Sequence, residues 1–192
     1  NQHDESFQAG HRQGQRPSRQ LRSSCGTEKR KIILSARLLV RALALGAFDA
    51  NGVKLGDNEL AIKKVFPGIH CKALEWKSDA ADRRCADAKI PFGGVEARVT
   101  FYLKGDLVRA FDVRFDTSSL GPVAAFLKRQ YGKPVSEARD KIVGKGKKER
   151  EVYKVLWEAG QDKALLSTIS TGKRAQLSVS RGNFEDEIYR VK

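Results

Sequence analysis

The chain has 192 residues, of which 40% are hydrophobic, and a formal net charge of +14. This length fits one domain of ordinary size with a tail, and the absence of any run of 18 apolar residues excludes a membrane-spanning helix. Residues 51–192 contain 28 basic and 19 acidic side chains, net +9. A basic domain could meet nucleic acid, anionic lipid or an acidic protein face, or could simply be a soluble protein of high pI.

The first fifty residues are predicted to consist of a polar tail and a targeting segment. Residues 1–28 are rich in Gln, Arg, Ser and Gly, a composition that predicts disorder. Residues 29–50 form a basic run, an apolar run and a small-residue end, as in a secretory signal peptide; the upstream stretch would then be a misassigned start. Arg37 and Arg41 interrupt the apolar run and share one helix face, which also suits a cationic amphipathic helix, either a mitochondrial-type transit segment or a helix on a membrane surface. An ordinary packed helix is the third alternative.

The first helix of the folded part is predicted to begin at Asp57, a good N-cap, and to end at Pro67. A short strand, residues 71–76, follows. We then expect a polar loop that contains Cys85, and a turn at Gly93-Gly94.

The clearest strand covers residues 95–103, where Val, Ala, Val, Phe and Leu alternate with polar residues. A tight turn at Lys104-Gly105-Asp106 leads to a partner strand, residues 107–115. The two segments are predicted to form an antiparallel hairpin.

The second helix is predicted from Ser119 to Tyr131, with Gly132 at its C-terminus and Pro134 preventing its continuation. A basic loop follows. Three further strands are expected, which cover residues 151–158, 163–170 and 175–181.

The predicted fold is therefore α+β, with an antiparallel sheet of about six strands and two helices packed on one face. Residues 51–192 form a single domain of two αβββ repeats, about 51–116 and 117–182. The other face of the sheet is a polar surface and a candidate binding face, with Glu96, Arg98, Thr100, Tyr102, Asp112, Arg114, Lys154 and Glu158.

The helix starts and stops, Leu55-Gly56-Asp57 and Tyr131-Gly132-Lys133-Pro134, resemble those of bacterial envelope proteins with tandem αβ repeats. This group includes proteins similar to the β-lactamase inhibitor protein and the small outer-membrane assembly lipoprotein. The resemblance covers about residues 51–181 and implies a module that binds proteins without catalysis. Lipid anchoring is in doubt, because the lipoprotein's attachment Cys has no counterpart here and Cys25 lies before the apolar run.

Cys71 and Cys85 lie 14 residues apart in the folded part. In an oxidising compartment we expect a disulfide between them, which would contribute about 3 kcal/mol on the chain-entropy model; the alternative is two independent thiols. The pair cannot build a four-ligand zinc site locally, because no His pair or second Cys pair is near, and no metal site is predicted.

No enzyme is predicted. Only His70 of the three histidines lies outside the tail, and Cys71 cannot easily use its own neighbour as a base because adjacent strand residues point to opposite faces. Residues 144–148 have glycines and lysines without the order of a phosphate-binding loop, so no cofactor is predicted.

The strongest local charge is a basic loop from Lys133 to Arg150. Its candidate binding residues are Lys133, Arg139, Lys141, Lys145, Lys147, Lys148 and Arg150. The first hypothesis is a non-catalytic periplasmic or secreted module, in the envelope, that contacts an unknown protein or an anionic surface. The alternative is a cytoplasmic nucleic-acid-binding domain that uses this loop on phosphates, although the loop has no aromatic residue for base stacking.

Overall fold

The computed structural model describes residues 47–143, 149–168 and 173–190. Their strands are β1 Asp49–Ala50, β2 Val53–Lys54, β3 His70–Ala73, β4 Arg83–Phe92, β5 Val95–Lys104, β6 Leu107–Asp116, β7 Ser136–Val143, β8 Glu149–Ala159, β9 Asp162–Thr168 and β10 Arg174–Arg181. Strands β1 and β2 pair with each other, and the other eight form one antiparallel sheet in the order β3-β4-β5-β6-β10-β9-β8-β7. The predicted α+β class and antiparallel sheet are confirmed.

The predicted count of about six strands, in two αβββ repeats, is wrong. Each half of the chain supplies four strands to the large sheet, and β6 and β10 meet at its centre. The two strands of the large sheet that the sequence did not reveal are β4, which was expected to be a polar loop, and β7, which was expected to belong to the basic loop. The short β1–β2 pair was not predicted either.

Three helices occur in the described part, namely α1 Glu59–Val65, α2 Leu120–Tyr131 and the short α3 Phe184–Glu187. Helix α1 is capped one residue later than predicted, because Asn58 Oδ1 accepts a hydrogen bond from Ala61 N at 2.9 Å. The carboxylate of Asp57 instead accepts from Lys54 N at 2.9 Å, within the preceding turn.

Helix α2 follows the sequence pattern closely. A 3-10 turn at Thr117–Ser119 precedes it, and Gly132, with φ of 82°, ends it. A residue with a side chain is strained at such a positive φ, which explains glycine at this C-terminus. The buried residues of α2 are Val123, Ala124, Leu127 and Tyr131.

The main core lies between the large sheet and helices α1 and α2. It contains inward-facing residues of the strands, the α2 stripe and one residue of α1, among them Val99, Phe101, Phe111, Val113, Val155, Trp157, Leu177, Ile62 and Leu127. The apolar stripe expected on α1 is wrong, because Leu60 is 74% exposed and Val65 is 40% exposed, while Ile62 is buried instead. The β1–β2 hairpin also contributes, because Phe48 and Ala50 are buried in this core and Tyr131 Oη donates to Asp49 O at 2.7 Å. Packed structure therefore begins before residue 51.

A smaller cluster covers part of the opposite sheet face. We call residues 74–82 together with residues 184–189 the cap. Its buried members and the strand residues beneath them are Ala80, Ala81, Phe184, Ile188, Tyr102 and Ala110. Trp76 Nε1 donates to Ile188 O at 2.8 Å, and the Trp76 ring stacks on Tyr189 at 5.7 Å between centroids. The acidic residues Glu185, Asp186 and Glu187 are themselves exposed, on a segment that Phe184 and Ile188 anchor to the sheet.

The Cys71–Cys85 disulfide is present. The two residues oppose each other directly in the β3–β4 register, and both belong to the core on the helix side of the sheet. His70 opposes Ala86 and lines the opposite face, as the alternation of strand side chains requires.

Several sequence predictions lie outside the described residues. These are the disordered tail of residues 1–28, the signal-like segment up to residue 46, and Lys145, Lys147 and Lys148 of the basic loop.

Candidate functional site

Two pairs of cationic residues oppose each other directly on the sheet face away from α1 and α2. Arg98 of β5 is the register partner of Arg114 of β6, and Lys72 of β3 is the partner of Arg84 of β4. Like charges directly opposite on neighbouring strands destabilise a sheet by a few tenths of a kcal/mol or more. We call these four residues and His70 the basic face.

The basic face is concave. Its five side chains line a depression of about 540 Å³, together with Thr100, Tyr102 and one acidic residue, Asp87. Tyr102 is 7% exposed, and burial together with the nearby Asp112 raises the pKa of its phenol to about 12. Tyr102 therefore stays neutral, and its ring is mostly buried against Phe184 of the cap, at 5.6 Å between centroids.

The cations of this face are only partly neutralised. Lys72 and Arg84 share the exposed carboxylate of Glu75, to which Arg84 Nη2 donates at 3.0 Å. The Nε atom of Arg84 is buried and has no hydrogen-bond partner. Arg98 forms no ion pair within the described ranges. The unpaired Nε of Arg84 favours an external acceptor, since a buried unpaired donor costs about 1–3 kcal/mol, and the exposed guanidinium of Arg98 is accessible to the same partner.

Arg114 is held in place by neighbours on β6 and β10. Its Nε donates to Gln176 Oε1 at 2.7 Å, while Nη2 lies 3.9 Å from Asp112 Oδ2. Asp112 accepts hydrogen bonds from Ser178 Oγ at 2.8 Å and Gln176 Nε2 at 3.0 Å. This network orients Arg114. The two hydrogen bonds that Asp112 accepts come from the neutral side chains of Ser178 and Gln176, and Arg114 is farther away.

Burial raises the pKa of the Asp112 carboxyl above its ordinary value, against the opposing effects of Ser178, Arg114 and Gln176. Because the folded-state pKa is above the unfolded one, the resulting stabilisation is complete below the unfolded pKa and is lost as the pH rises through the folded pKa. At neutral pH, the folded protein thus carries the cost of a buried carboxylate.

We expect Asp112→Asn to raise the free energy of unfolding at about pH 7. This gain should be lost at about pH 3, where the Asp112 carboxyl of the parent is protonated in both the folded and the unfolded protein. The Asn oxygen can still accept from Ser178. Urea denaturation of both proteins at the two pH values tests this, and an equal difference at both would contradict it.

A second concavity, of about 340 Å³, lies between α2 and strands β7 and β8. Its polar side chains bond mainly to one another. Lys128 Nζ lies 2.7 Å from Glu137 Oε2, Tyr153 Oη donates to Glu137 Oε1 at 2.5 Å, and the Arg139 guanidinium lies 4.9 Å from the centre of the Tyr153 ring. These contacts account for the cluster as packing between α2 and the edge of the sheet, so we do not assign it a ligand.

The predicted binding residues of the basic loop are spread along a hairpin. Lys133 is exposed after α2, Arg139 packs on Tyr153 and lies 3.8 Å from Glu151, and Lys141 is exposed on β7. The side chain of Arg150 is outside the described part, as are the three lysines at the hairpin turn. Since β7 and β3 are at opposite edges of the sheet, this hairpin is remote from β3 and the nearby basic face.

Sequence reasoning found part of the basic face and missed the rest. Arg98, Thr100, Tyr102 and Arg114 were assigned to the polar face, and the register agrees. His70 and Lys72 were not recognised because β3 is short, and Arg84 was not recognised because β4 was expected to be a loop. The two consecutive arginines at residues 83–84 were the sequence feature that could have pointed to a basic site in this segment.

Comparison of the chain with protein-family models, curated proteins and solved structures finds no match. Among the helices of the described ranges, none has the length and apolar character needed to cross a bilayer.

Proposed function

We propose that this protein is a non-catalytic binding module whose basic face contacts an acidic protein surface. The observation that carries the proposal is the direct opposition of Arg98 and Arg114 across β5 and β6. An arrangement that weakens the sheet is expected where a negatively charged partner compensates for it.

The chemistry of the face favours carboxylates on a protein. A guanidinium binds a carboxylate through two parallel hydrogen bonds, and arginine is enriched at protein interfaces. Neutral hydrogen-bonding groups lie beside these arginines on the sheet: Gln176 is the register partner of Arg114, and Thr100 and Ser178 are the partners of Asp112. Stacking of nucleic-acid bases needs exposed aromatic rings, whereas Tyr102 is buried and the exposed ring of Tyr189 is stacked on Trp76.

The disulfide supports a periplasmic or secreted location, because such bonds persist in oxidising compartments. A cytoplasmic location is the alternative. The redox state of Cys71 and Cys85 in protein purified natively, with free thiols alkylated at lysis, distinguishes the two.

The binding proposal is tested with poly-L-glutamate as the acidic probe and an RNA or DNA duplex as the alternative probe. Arg98→Gln/Arg114→Gln is expected to weaken poly-L-glutamate binding at least about tenfold, equivalent to ~1.4 kcal/mol. The free energy of unfolding should change by less than about 1 kcal/mol, because relief of the like-charge contact offsets the lost Arg114–Gln176 hydrogen bond.

The matched control is Lys54→Gln/Lys64→Gln, which removes the same charge from exposed positions outside the basic face. We expect this pair to weaken poly-L-glutamate binding by less than about threefold, because exposed charges away from the site are screened by salt. Equal weakening by both pairs would reject the basic face as the site. Binding of duplex without binding of poly-L-glutamate would support the nucleic-acid alternative instead.

A further inference from the structure

A carboxylate lies beside the buried disulfide. Glu59, the first residue of α1, has an 11% exposed side chain, and one of its oxygens lies within 4.8 Å of both Sγ atoms of Cys71 and Cys85. Helix α1 supplies the carboxylate and the β3–β4 register supplies the two sulfurs. Their separation in sequence concealed this grouping, which the fold creates.

Two cations lie beside Glu59. Lys63 Nζ lies 2.6 Å from Glu59 Oε1, and Arg83 Nη1 lies 2.8 Å from Oε2. Although Arg83 is close, Oε2 is buried and accepts no hydrogen bond of acceptable geometry. This oxygen keeps a lone pair available, and two cations surround a position where negative charge could accumulate.

We propose that reduction of the Cys71–Cys85 disulfide converts these residues into a three-ligand site for Zn²⁺, with Cys71 Sγ, Cys85 Sγ and a Glu59 oxygen as ligands. A dithiol reductant would supply two electrons and two protons, giving two thiols while the reductant forms its own disulfide. Binding of the ion then releases the two thiol protons, because thiolates are the ligands.

The distances suit a tetrahedral zinc ion. Zinc binds thiolate sulfur at about 2.3 Å and carboxylate oxygen at about 2.0–2.2 Å, which places two ligating sulfurs ~3.8 Å apart. All three ligand atoms already lie within 4.8 Å of one another, so the sulfurs need to separate only modestly once their bond is broken. Water would take the fourth position, as in zinc sites with three protein ligands.

The charge balance and the access are also suitable. Two thiolates and a carboxylate carry −3 and the ion brings +2, so that a single one of the neighbouring cations, Lys63 or Arg83, balances the remaining −1. Cys71 is half-buried on β3, an edge strand, while Cys85 is fully buried. An ion can therefore enter from the edge between β3 and α1 and be held against the core.

The test uses the full chain with Cys25→Ser, so that only the two core thiols can respond. The protein is reduced with a phosphine, which becomes the phosphine oxide by taking oxygen from water. Co²⁺ is titrated as a spectroscopic probe for thiolate charge-transfer absorption, and Zn²⁺ is then used to displace it. We expect one equivalent bound to the reduced protein and none to the oxidised protein.

Variants assign the ligands. Cys85→Ser should abolish the two-thiolate absorption, and Glu59→Gln should weaken the affinity of the reduced protein for Zn²⁺ at least about tenfold. Glu75→Gln, which removes an exposed carboxylate from the segment that follows β3, should leave the affinity unchanged.

Absence of the charge-transfer band in the reduced protein would overturn the proposal. An unchanged Zn²⁺ affinity in Glu59→Gln would overturn the three-ligand site. Because Glu59→Gln could also disturb α1, its circular dichroism and unfolding in the oxidised state are compared with those of the parent. The Co²⁺ spectrum of the parent tests the site independently of that variant.

Discussion

Replacing Cys71 and Cys85 together by Ala is expected to lower the free energy of unfolding by about 3 kcal/mol, the value for a disulfide that closes a loop of about 15 residues. The cross-link joins directly opposed residues of β3 and β4 and limits the conformations of the unfolded chain. Since a domain of this size has a stability of only about 5–15 kcal/mol, the loss is large. Urea denaturation of the oxidised parent, the phosphine-reduced parent and the variant measures it.

The reduced parent and the Cys71→Ala/Cys85→Ala variant should agree within about 1 kcal/mol in the absence of divalent cations, because both lack the cross-link. Cys25→Ser is the control and should leave stability unchanged. Retention of full stability by both proteins would contradict the chain-entropy account of this bond.

The closed loop carries one half of the cap, so the effect should reach the opposite sheet face. Residues 74–82 lie between the two cysteines and include Trp76, whose ring stacks on Tyr189. Loss of the cross-link is expected to alter the fluorescence of Trp76 at urea concentrations below the main transition, because the cap has the smaller of the two clusters.

Strand β4 shows why regular alternation is needed for a strand to be found from sequence. Its helix-facing residues include Cys85 and Ile90, and the register shifts between Asp87 and Ile90. Because of this shift, the core-facing residues change from odd-numbered to even-numbered positions within the strand. The alternating pattern is therefore broken, and the charged residues between Cys85 and Ile90 resemble a loop. Strand β5, which alternates through Phe101 without an interruption on this face, was predicted correctly.

Strand β7 was missed for a different reason. It is an edge strand with charged residues that point to both faces, including Glu137, Arg139 and Asp140. Charges protect an edge from pairing with other chains, but they also remove the apolar pattern from which a strand is recognised. Its backbone pairing with β8 holds it in the sheet, and that information is not visible in local sequence.

The cap and the basic face depend on contacts between distant residues. Helix α3 has four residues, too few for a helical period, and is held by contacts such as Trp76 Nε1 to Ile188 O. The sequence placed Arg98 and Arg114 on one polar face but could not bring Lys72 and Arg84 beside them, because that juxtaposition requires the unrecognised strand β4. Local alternation therefore predicted the part of the basic face on β5 and β6 and missed the part on β3 and β4.

The second large effect is expected at Trp157, where Trp157→Ala should lower the free energy of unfolding by about 3–5 kcal/mol. The side chain is 2% exposed, its Nε1 donates to Gly132 O at 3.0 Å, and its ring meets Tyr131 edge to face at 5.8 Å. Tyr131 in turn packs on Phe48 and donates to Asp49 O. Removal of the indole would therefore loosen β8, the end of α2 and the β1 hairpin together, as measured by urea denaturation.

The chain offers a matched control because its only other tryptophan, Trp76, lies in the cap. Trp76→Ala deletes the same atoms from a half-buried site and should cost less than about 2 kcal/mol, in proportion to the smaller apolar area buried. Trp157→Phe keeps one six-membered ring but removes the pyrrole ring and its hydrogen bond to Gly132, so a loss of about 2–3 kcal/mol, below that of Trp157→Ala, is expected. Equal losses for the two Ala variants would mean that the cap is as strongly coupled to global unfolding as the main core, and would contradict its assignment as the weaker cluster.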